Sequence, residues 1–313
     1  MFQKDHAIVV ETGRSKPVWA VAFHPIGTHF FSGDDDGIQR WRLEDGQEVG
    51  HKTGMALNAI AASRDHKWVV CGTFEGASVW DAEIQKKVVD VEASDSVYAV
   101  DISSDSTMFA TGTGLGRRAS IWHIMGGERL VGPLEHDSTV TGIKFSPNSE
   151  HIATSCLRGP ISVFDSRNGN QVLNIETVTP SLYGSTLLAW STNGRQILAA
   201  TNDRKVRSFD VSTGSQLAES KTLNPNEVMP IGLVIACDGK FIAAYASRSI
   251  LFLDTSTLSQ VGPVINDTQD LNSVALSLDS SYLATGRSDG KITVRNLSNI
   301  LPDLFQVSTS VLS

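Results

Sequence analysis

One pattern recurs along the whole 313-residue chain. A tight turn leads into a short alternating segment that ends on an aromatic residue, or on a residue standing in for one. Residues 76–81, Gly-Ala-Ser-Val-Trp-Asp, show it best. The aligned end positions are Trp41, Trp80, Trp122, Phe164, Phe209, Leu253 and Arg295, at intervals of 39, 42, 42, 45, 44 and 42 residues. Self-similarity at about 40–45 residues with a Trp-Asp ending reads as a unit of four strands. Such a unit buries its faces only against its neighbours, so the seven must share one core.

The turns fall in step with the anchors. In the first repeat, residues 18–23 alternate, 24–27 turn, 29–32 form a second strand, Asp36-Gly37 turns, and 38–41 form a third. Asp-Gly between two alternating runs is the strongest short-range hairpin signal. The first turns recur at 25–27, 64–66, 104–106, 147–149, 192–194, 237–239 and 278–280. The second turns recur at Asp36-Gly37, Glu75-Gly76, 115–118, Arg158-Gly159, 203–205, 247–249 and Asp289-Gly290. With a fourth strand after each anchor, this predicts an all-β, seven-bladed β-propeller of four-stranded antiparallel blades.

Closure of the ring is also legible. After Arg295-Asn296 the chain meets Pro302, which cannot donate to a strand ladder. Residues 6–11, His-Ala-Ile-Val-Val-Glu, resemble residues 86–92, the strand that follows Trp80-Asp81. The N-terminal strand 6–11 is therefore expected to pair beside residues 291–295 and remove an exposed sheet edge. The chain then reads as one domain, 1–313. Its repeats lie at about 12–50, 51–92, 93–133, 134–177, 178–221, 222–264 and 265–297, with residues 298–313 as a C-terminal tail.

Composition narrows the function classes. Against 26 basic residues stand 34 acidic ones, a net charge of −8 that repels a phosphate backbone and argues against general nucleic-acid binding. Cys71, Cys156 and Cys237 are odd in number and far apart, so no disulfide framework is expected. The apolar run near the N-terminus is four residues, too short for a signal-peptide core. No stretch approaches the apolar length of a membrane span. The expected setting is intracellular, cytoplasmic or nuclear, without a membrane.

On these residues the chain resembles the WD-repeat (WD40, β-transducin repeat) family of seven-bladed propellers, over about residues 6–297. Trp80-Asp81 is the one literal Trp-Asp pair; Phe164-Asp165 and Phe209-Asp210 carry another aromatic, and Gly50-His51 supplies the family's Gly-His once. The resemblance implies a structural tetrad of His, strand Ser or Thr, hairpin Asp and Trp. Repeat one offers Ser32, Asp36 and Trp41 with Arg14 in place of the His; repeat four offers His136 and Thr154 with Arg158 and Phe164. Trp80 is expected to be a buried anchor whose replacement by Ala costs roughly 3–5 kcal/mol.

Motifs of catalysis are sparse. The eight histidines show no His-Glu-x-x-His spacing and no Cys or Asp ligands at local metal distance, so each is read as structural or solvated. Residues 112–116, Gly-Thr-Gly-Leu-Gly, lack the third glycine of a dinucleotide loop and read as a hairpin turn. There is no Gly-x-Ser-x-Gly elbow. Asp34, Asp35 and Asp36 read as a solvated acidic turn rather than a cation site. No catalytic residue, metal site or cofactor is expected.

What remains is a surface. The resemblance implies that the channel mouth used for partners is lined by Trp19, Asn58, Tyr98, Thr141, Thr186, Ile231 and Asn272. On the second-turn loops of that face it sets a rim of Arg117, Arg118, Arg158, Arg204, Lys205, Arg248 and Arg287. Aromatics ringed by arginines suit an acidic or phosphorylated peptide. The expected function is a non-catalytic scaffold or adaptor for protein partners. The alternatives are an enzyme or small-ligand binder using the central channel, for which Asp101 and Lys144 are the inner-strand candidates, and a structural subunit of an RNA-processing complex.

Overall fold

The computed structural model describes residues 7–12, 16–50, 54–83, 85–93, 95–157, 159–176, 187–201, 203–223 and 231–305, with the backbone alone for Ile231. Within them lie seven antiparallel sheets. Each blade is a meander whose innermost strand starts it: Ala20–Phe23, Leu57–Ala62, Val97–Ile102, Val140–Phe145, Leu187–Trp190, Ile231–Ile235 and Leu271–Leu276. The architecture is the seven-bladed propeller that the repeat implies.

The first turns explain why the repeat is so regular. The third residue of every one is left-handed: Gly27, His66, Ser106, Ser149, Gly194, Gly239 and Ser280 have φ between +58° and +77°. Four of these are not glycine, so the surrounding turn must hold them there. In five blades a serine hydroxyl donates to an Asp or Asn two residues on, from Ser63 to Asp65, Ser103 to Asp105, Ser146 to Asn148, Ser191 to Asn193 and Ser277 to Asp279. The same oxygen accepts a backbone N–H two residues further, as at Lys67 and Thr107. This is an Asx turn locked from both sides.

The first strand closes the ring. Ala7–Glu11 pairs antiparallel with Lys291–Asn296, placing Val10 opposite Ile292. The observed strand begins at Ala7, and His6 lies outside the described residues. Lys291 and Glu11 meet at 2.6 Å, and the Thr12 hydroxyl donates to the Gly290 carbonyl at 2.6 Å. Val10, Ile292 and Val294 of the last blade then pack with Val18, Phe23, Phe30 and Trp41 of the first, in one apolar cluster that spans the junction. At the same junction a Cβ on Gly286 would lie 3.0 Å from the Val18 carbonyl, so the two blades approach at van der Waals distance.

The fourth edge of blade one is short. Beside Ala20–Phe23, His29–Asp34 and Gly37–Arg42, Trp41 bridges to Glu48, the Arg42 N–H donates to the Gln47 carbonyl at 2.9 Å and the Val49 N–H to the Arg40 carbonyl at 2.8 Å. The Arg40 side chain donates to the carbonyls of Ala82 and Glu83 in blade two, at 3.1 and 2.8 Å. The C-terminal stretch carries two helical turns. Leu297–Asn299 forms a 3-10 turn and Pro302–Phe305 a helical turn. Leu297 and Leu301 are buried against blade six, with the Phe305 ring on that of Phe241 at 6.5 Å. Pro302 blocks a strand but suits a helix start, where its missing N–H is not needed.

Candidate functional site: the channel mouth

The inner strands enclose a central channel of about 1080 Å³, and Trp19, Asn58, Tyr98, Thr141 and Asn272 all line it. Thr186 and the Ile231 side chain lie outside the described residues. Two of the five stand out into solvent: Trp19 is 42 % exposed and Tyr98 44 %. The Trp19 indole N–H donates to Asp35 Oδ1 at 2.9 Å, fixing the ring to the second turn of blade one. Tyr98 lies over Gly114, where a Cβ would come within 2.5 Å of the ring.

A third aromatic completes the mouth. Phe74, 54 % exposed, lines the same channel from the second turn of blade two. The Thr73 hydroxyl accepts the N–H groups of Glu75 and Gly76, both at 3.2 Å, which shapes that turn. Ser96, two residues before Tyr98, donates its hydroxyl to the Phe74 carbonyl at 3.2 Å and accepts the Gly114 N–H at 2.9 Å. One short segment thus positions both rings. Phe74 was absent from the expected mouth because only the cations of the second turns were assigned to it. The available signal was an aromatic in a turn where the aligned repeats place Asp35, Leu157 and Ser288.

The polar mouth residues are built into the ring. Asn58 donates to the Val97 carbonyl of blade three at 3.2 Å, and Asn272 to the Val18 carbonyl of blade one at 3.3 Å. Tyr245 caps the second staple by donating to the Asn272 carbonyl at 2.8 Å. Thr141 keeps a buried hydroxyl oxygen without a hydrogen-bond partner. Deeper in the channel, Asp101 and Lys144 pair at 2.7 Å, and Asp101 also accepts the Phe145 N–H at 2.8 Å. The two candidate titratable groups of the inner strands therefore answer each other across blades three and four.

The expected cationic rim is largely neutralised. Arg118 meets Glu135 at 2.9 Å, Lys205 meets Glu219 at 2.6 Å and Arg248 meets Asp270 at 2.9 Å. Arg117 donates to the Asp137 carbonyl at 3.2 Å, and Arg204 stands in the second turn of blade five with φ of +62°. Arg158 lies outside the described residues. Arg287 is not a rim residue: its side chain is 10 % exposed and held by Asp267 at 3.1 Å and Asp289 at 2.7 Å. In blade five, buried Arg207 holds the Asp203 carboxyl down to about 2.

The other sequence motifs resolve into structure. The Gly116 N–H in the glycine-rich loop donates to the Asp95 carboxylate at 2.5 Å, so a carboxylate of the chain itself occupies the place a phosphate would take. Asp34 accepts the N–H groups of Asp36 and Gly37, while Asp36 meets Lys16 at 2.9 Å. Among the described residues, no group of three or more His, Cys, Asp or Glu side chains is placed to hold a metal ion. Cys71 and Cys156 are buried free thiols, the latter pushed up to about 12 by burial, and Cys237 is exposed.

The anchors show how each blade is tied. Trp41 donates its indole N–H to Ser32 Oγ at 2.8 Å, and Trp122 to Thr111 Oγ1 at 2.9 Å. His136 Nε2 lies 2.8 Å from Thr154 Oγ1, with its ring edge-on to Phe164 at 5.6 Å. These are partial versions of the tetrad. Trp80 departs from expectation: it is only partly buried and donates to Ser78, because Cys71 stands where Ser32, Thr111 and Thr154 offer a hydroxyl in blades one, three and four. The family described as "WD domain, G-beta repeat" matches residues 7–41, 85–123, 129–159 and 260–296. Those four stretches are WD40 repeats, set in a seven-bladed propeller.

Its relatives are spread across several kinds of WD40-repeat protein. The chain is 26 % identical to "Eukaryotic translation initiation factor 3 subunit I" of Aspergillus terreus, over 65 % of this chain and 62 % of that one. It is 26 % identical to "Small ribosomal subunit protein RACK1" of Drosophila melanogaster, over 54 % and 55 %. It is 20 % identical to human "Striatin-4", over 90 % of this chain and 36 % of that one. The matched region thus spans less than two thirds of each relative. Among the described residues no helix is long and apolar enough to cross a membrane, which leaves strand-built spans unaddressed.

Proposed function

We propose that this WD40 propeller is a non-catalytic interaction platform whose channel mouth receives a segment of a partner protein, in an intracellular setting. One observation carries the reading. Trp19, Phe74 and Tyr98 stand exposed on the lip of one large channel, Trp19 held by its indole N–H, Tyr98 resting on Gly114, and Phe74 carried on a turn whose carbonyl Ser96 binds. Rigid aromatics concentrated at one place are the usual anchors of protein recognition. Assembly partners also fit the relatives, two of which are named as a subunit of a translation factor and a protein of the ribosomal subunit. The mutual pairing of Asp101 and Lys144 counts against a channel enzyme, which needs convergent groups free to titrate. The acid-paired rim counts against an RNA-facing subunit.

The test is affinity purification with the native protein and a Trp19→Ala, Tyr98→Ala double variant as baits. Partners that associate with the native bait and are lost from the variant support the reading. Identical recovery by both overturns it.

A further inference from the structure

The charge around the aromatic mouth is opposite to what its arginines lead one to expect. On the lip over blades one to three, the exposed Asp35 accepts from Trp19, the exposed Glu75 follows Phe74 in the same turn, and Asp95 accepts the Gly116 N–H in the loop on which Tyr98 rests. Asp35 accepts the neutral indole N–H of Trp19, and the cation acting on it is Lys16, which is itself bound to Asp36. Of the cations of the same face, Arg118, Lys205, Arg248 and Arg287 are tied to Glu135, Glu219, Asp270, Asp267 and Asp289, and Arg117 donates to the Asp137 carbonyl. Lys16 is bound to Asp36, and the carboxylates of residues 34–36 together raise its pKa.

The geometry points to a basic, apolar-flanked segment as the occupant of this mouth: an arginine or lysine whose stem lies on Trp19, Phe74 and Tyr98 and whose charge meets Asp35 and Glu75. Aromatic faces attract a guanidinium or ammonium through their quadrupole, and a neighbouring carboxylate adds charge complementarity that sets selectivity more than raw affinity. Long basic side chains supply an apolar stem and a charged head in one residue, which matches a lip that is aromatic inside and acidic outside. An acidic or phosphorylated segment would meet those carboxylates unpaired. The inference rests on the mouth being the partner surface, as proposed above, and adds the chemistry of what enters it.

The test is selection of a displayed library of random dodecapeptides on the intact protein, sequencing the pools retained by wild type, by Trp19→Ala, Tyr98→Ala, and by Asp35→Asn, Glu75→Gln. The amide in Asp35→Asn keeps an acceptor for the Trp19 indole, so that variant changes charge and leaves the ring placed; thermal unfolding confirms that each variant is folded. Expected is a wild-type pool enriched at least twofold in Lys and Arg over the input. The best peptide should bind the carboxamide variant about fivefold or more weakly and lose affinity as salt rises, since two exposed charge contacts are removed. Peptides that need the aromatics but carry no basic excess, or that are acidic, overturn the inference and leave the platform reading standing. A pool indifferent to the aromatics, or no enrichment at all, overturns both.

Discussion

Arg295 and Asp267 meet at 2.9 Å in the last blade, at the position where five other blades carry Trp or Phe. Asp267 comes from the segment that leads out of blade six, is 3 % exposed, and also takes Arg287 at 3.1 Å. A guanidinium thus serves as an anchor because a buried carboxylate is delivered to it from the neighbouring blade. Removing that carboxylate leaves the buried Arg295 without its carboxylate and Arg287 with Asp289 alone, which costs about 3–5 kcal/mol. Asp267→Ala is expected to lose that much in urea unfolding, whereas Arg248→Ala, on an exposed pair, is expected to lose under about 1 kcal/mol.

The anchors differ in depth, and depth should rank their variants. Trp41 is 3 % exposed with its N–H on Ser32. Trp41→Ala is expected to cost roughly 3–5 kcal/mol. Trp80 is partly exposed and tied to Ser78, so Trp80→Ala is expected at roughly 1–2 kcal/mol. Denaturant midpoints of the two variants in parallel decide the matter; the reverse ranking would show that the literal Trp-Asp unit dominates after all.

Val10, 2 % exposed, packs inward from the closing strand. Val10→Asp places a charge among Phe30, Trp41 and Ile292, where no partner waits for it. The expected result is a ring that opens at the junction of blades seven and one. Size-exclusion chromatography should then report association through the freed edge. Val9→Asp is the control, since Val9 is 49 % exposed and should behave as wild type.

Burial lowers the pKa of His24 first of all, with the stacked His66 ring adding to it, and burial likewise lowers that of His136. The unfolded chain therefore takes up protons near the ordinary histidine range while the folded chain resists them. By linkage, stability is full above about pH 7 and falls as the pH drops below about 6.5. Urea midpoints measured from pH 8 to 5 should decline across that window, and the decline should flatten in His24→Asn, His136→Gln.

Much of this was written in the sequence because the repeat encodes turn chemistry and not only hydrophobic alternation. Asp36-Gly37 and the recurring first turns are local devices, read without knowing what packs above them, although their Ser-x-Asp and Ser-x-Asn clasps emerged only from the structure. The closing strand was legible for a similar reason, since Pro302 rules out a ladder and residues 6–11 resemble a fourth strand. What escaped depends on contacts between distant segments. Arg287 looked like a rim cation until Asp267 arrived from the preceding blade, and the anchor value of Trp80 fell because Cys71 offers no hydroxyl. The Arg40 side chain reaches carbonyls some forty residues onward, a contact the repeat does not announce. Phe74 belonged to the mouth only once Ser96 tied its turn to that of Gly114.

The pairing of Ala7–Glu11 with Lys291–Asn296 also sets a timetable for synthesis. Thr12 and Gly290 are 278 residues apart, so a growing chain must carry Ala7–Glu11 unpartnered until the seventh repeat has left the ribosome. Six blades can assemble in turn, yet the circle locks only at the end, and a nascent chain stalled before residue 291 would expose two raw borders to its neighbours.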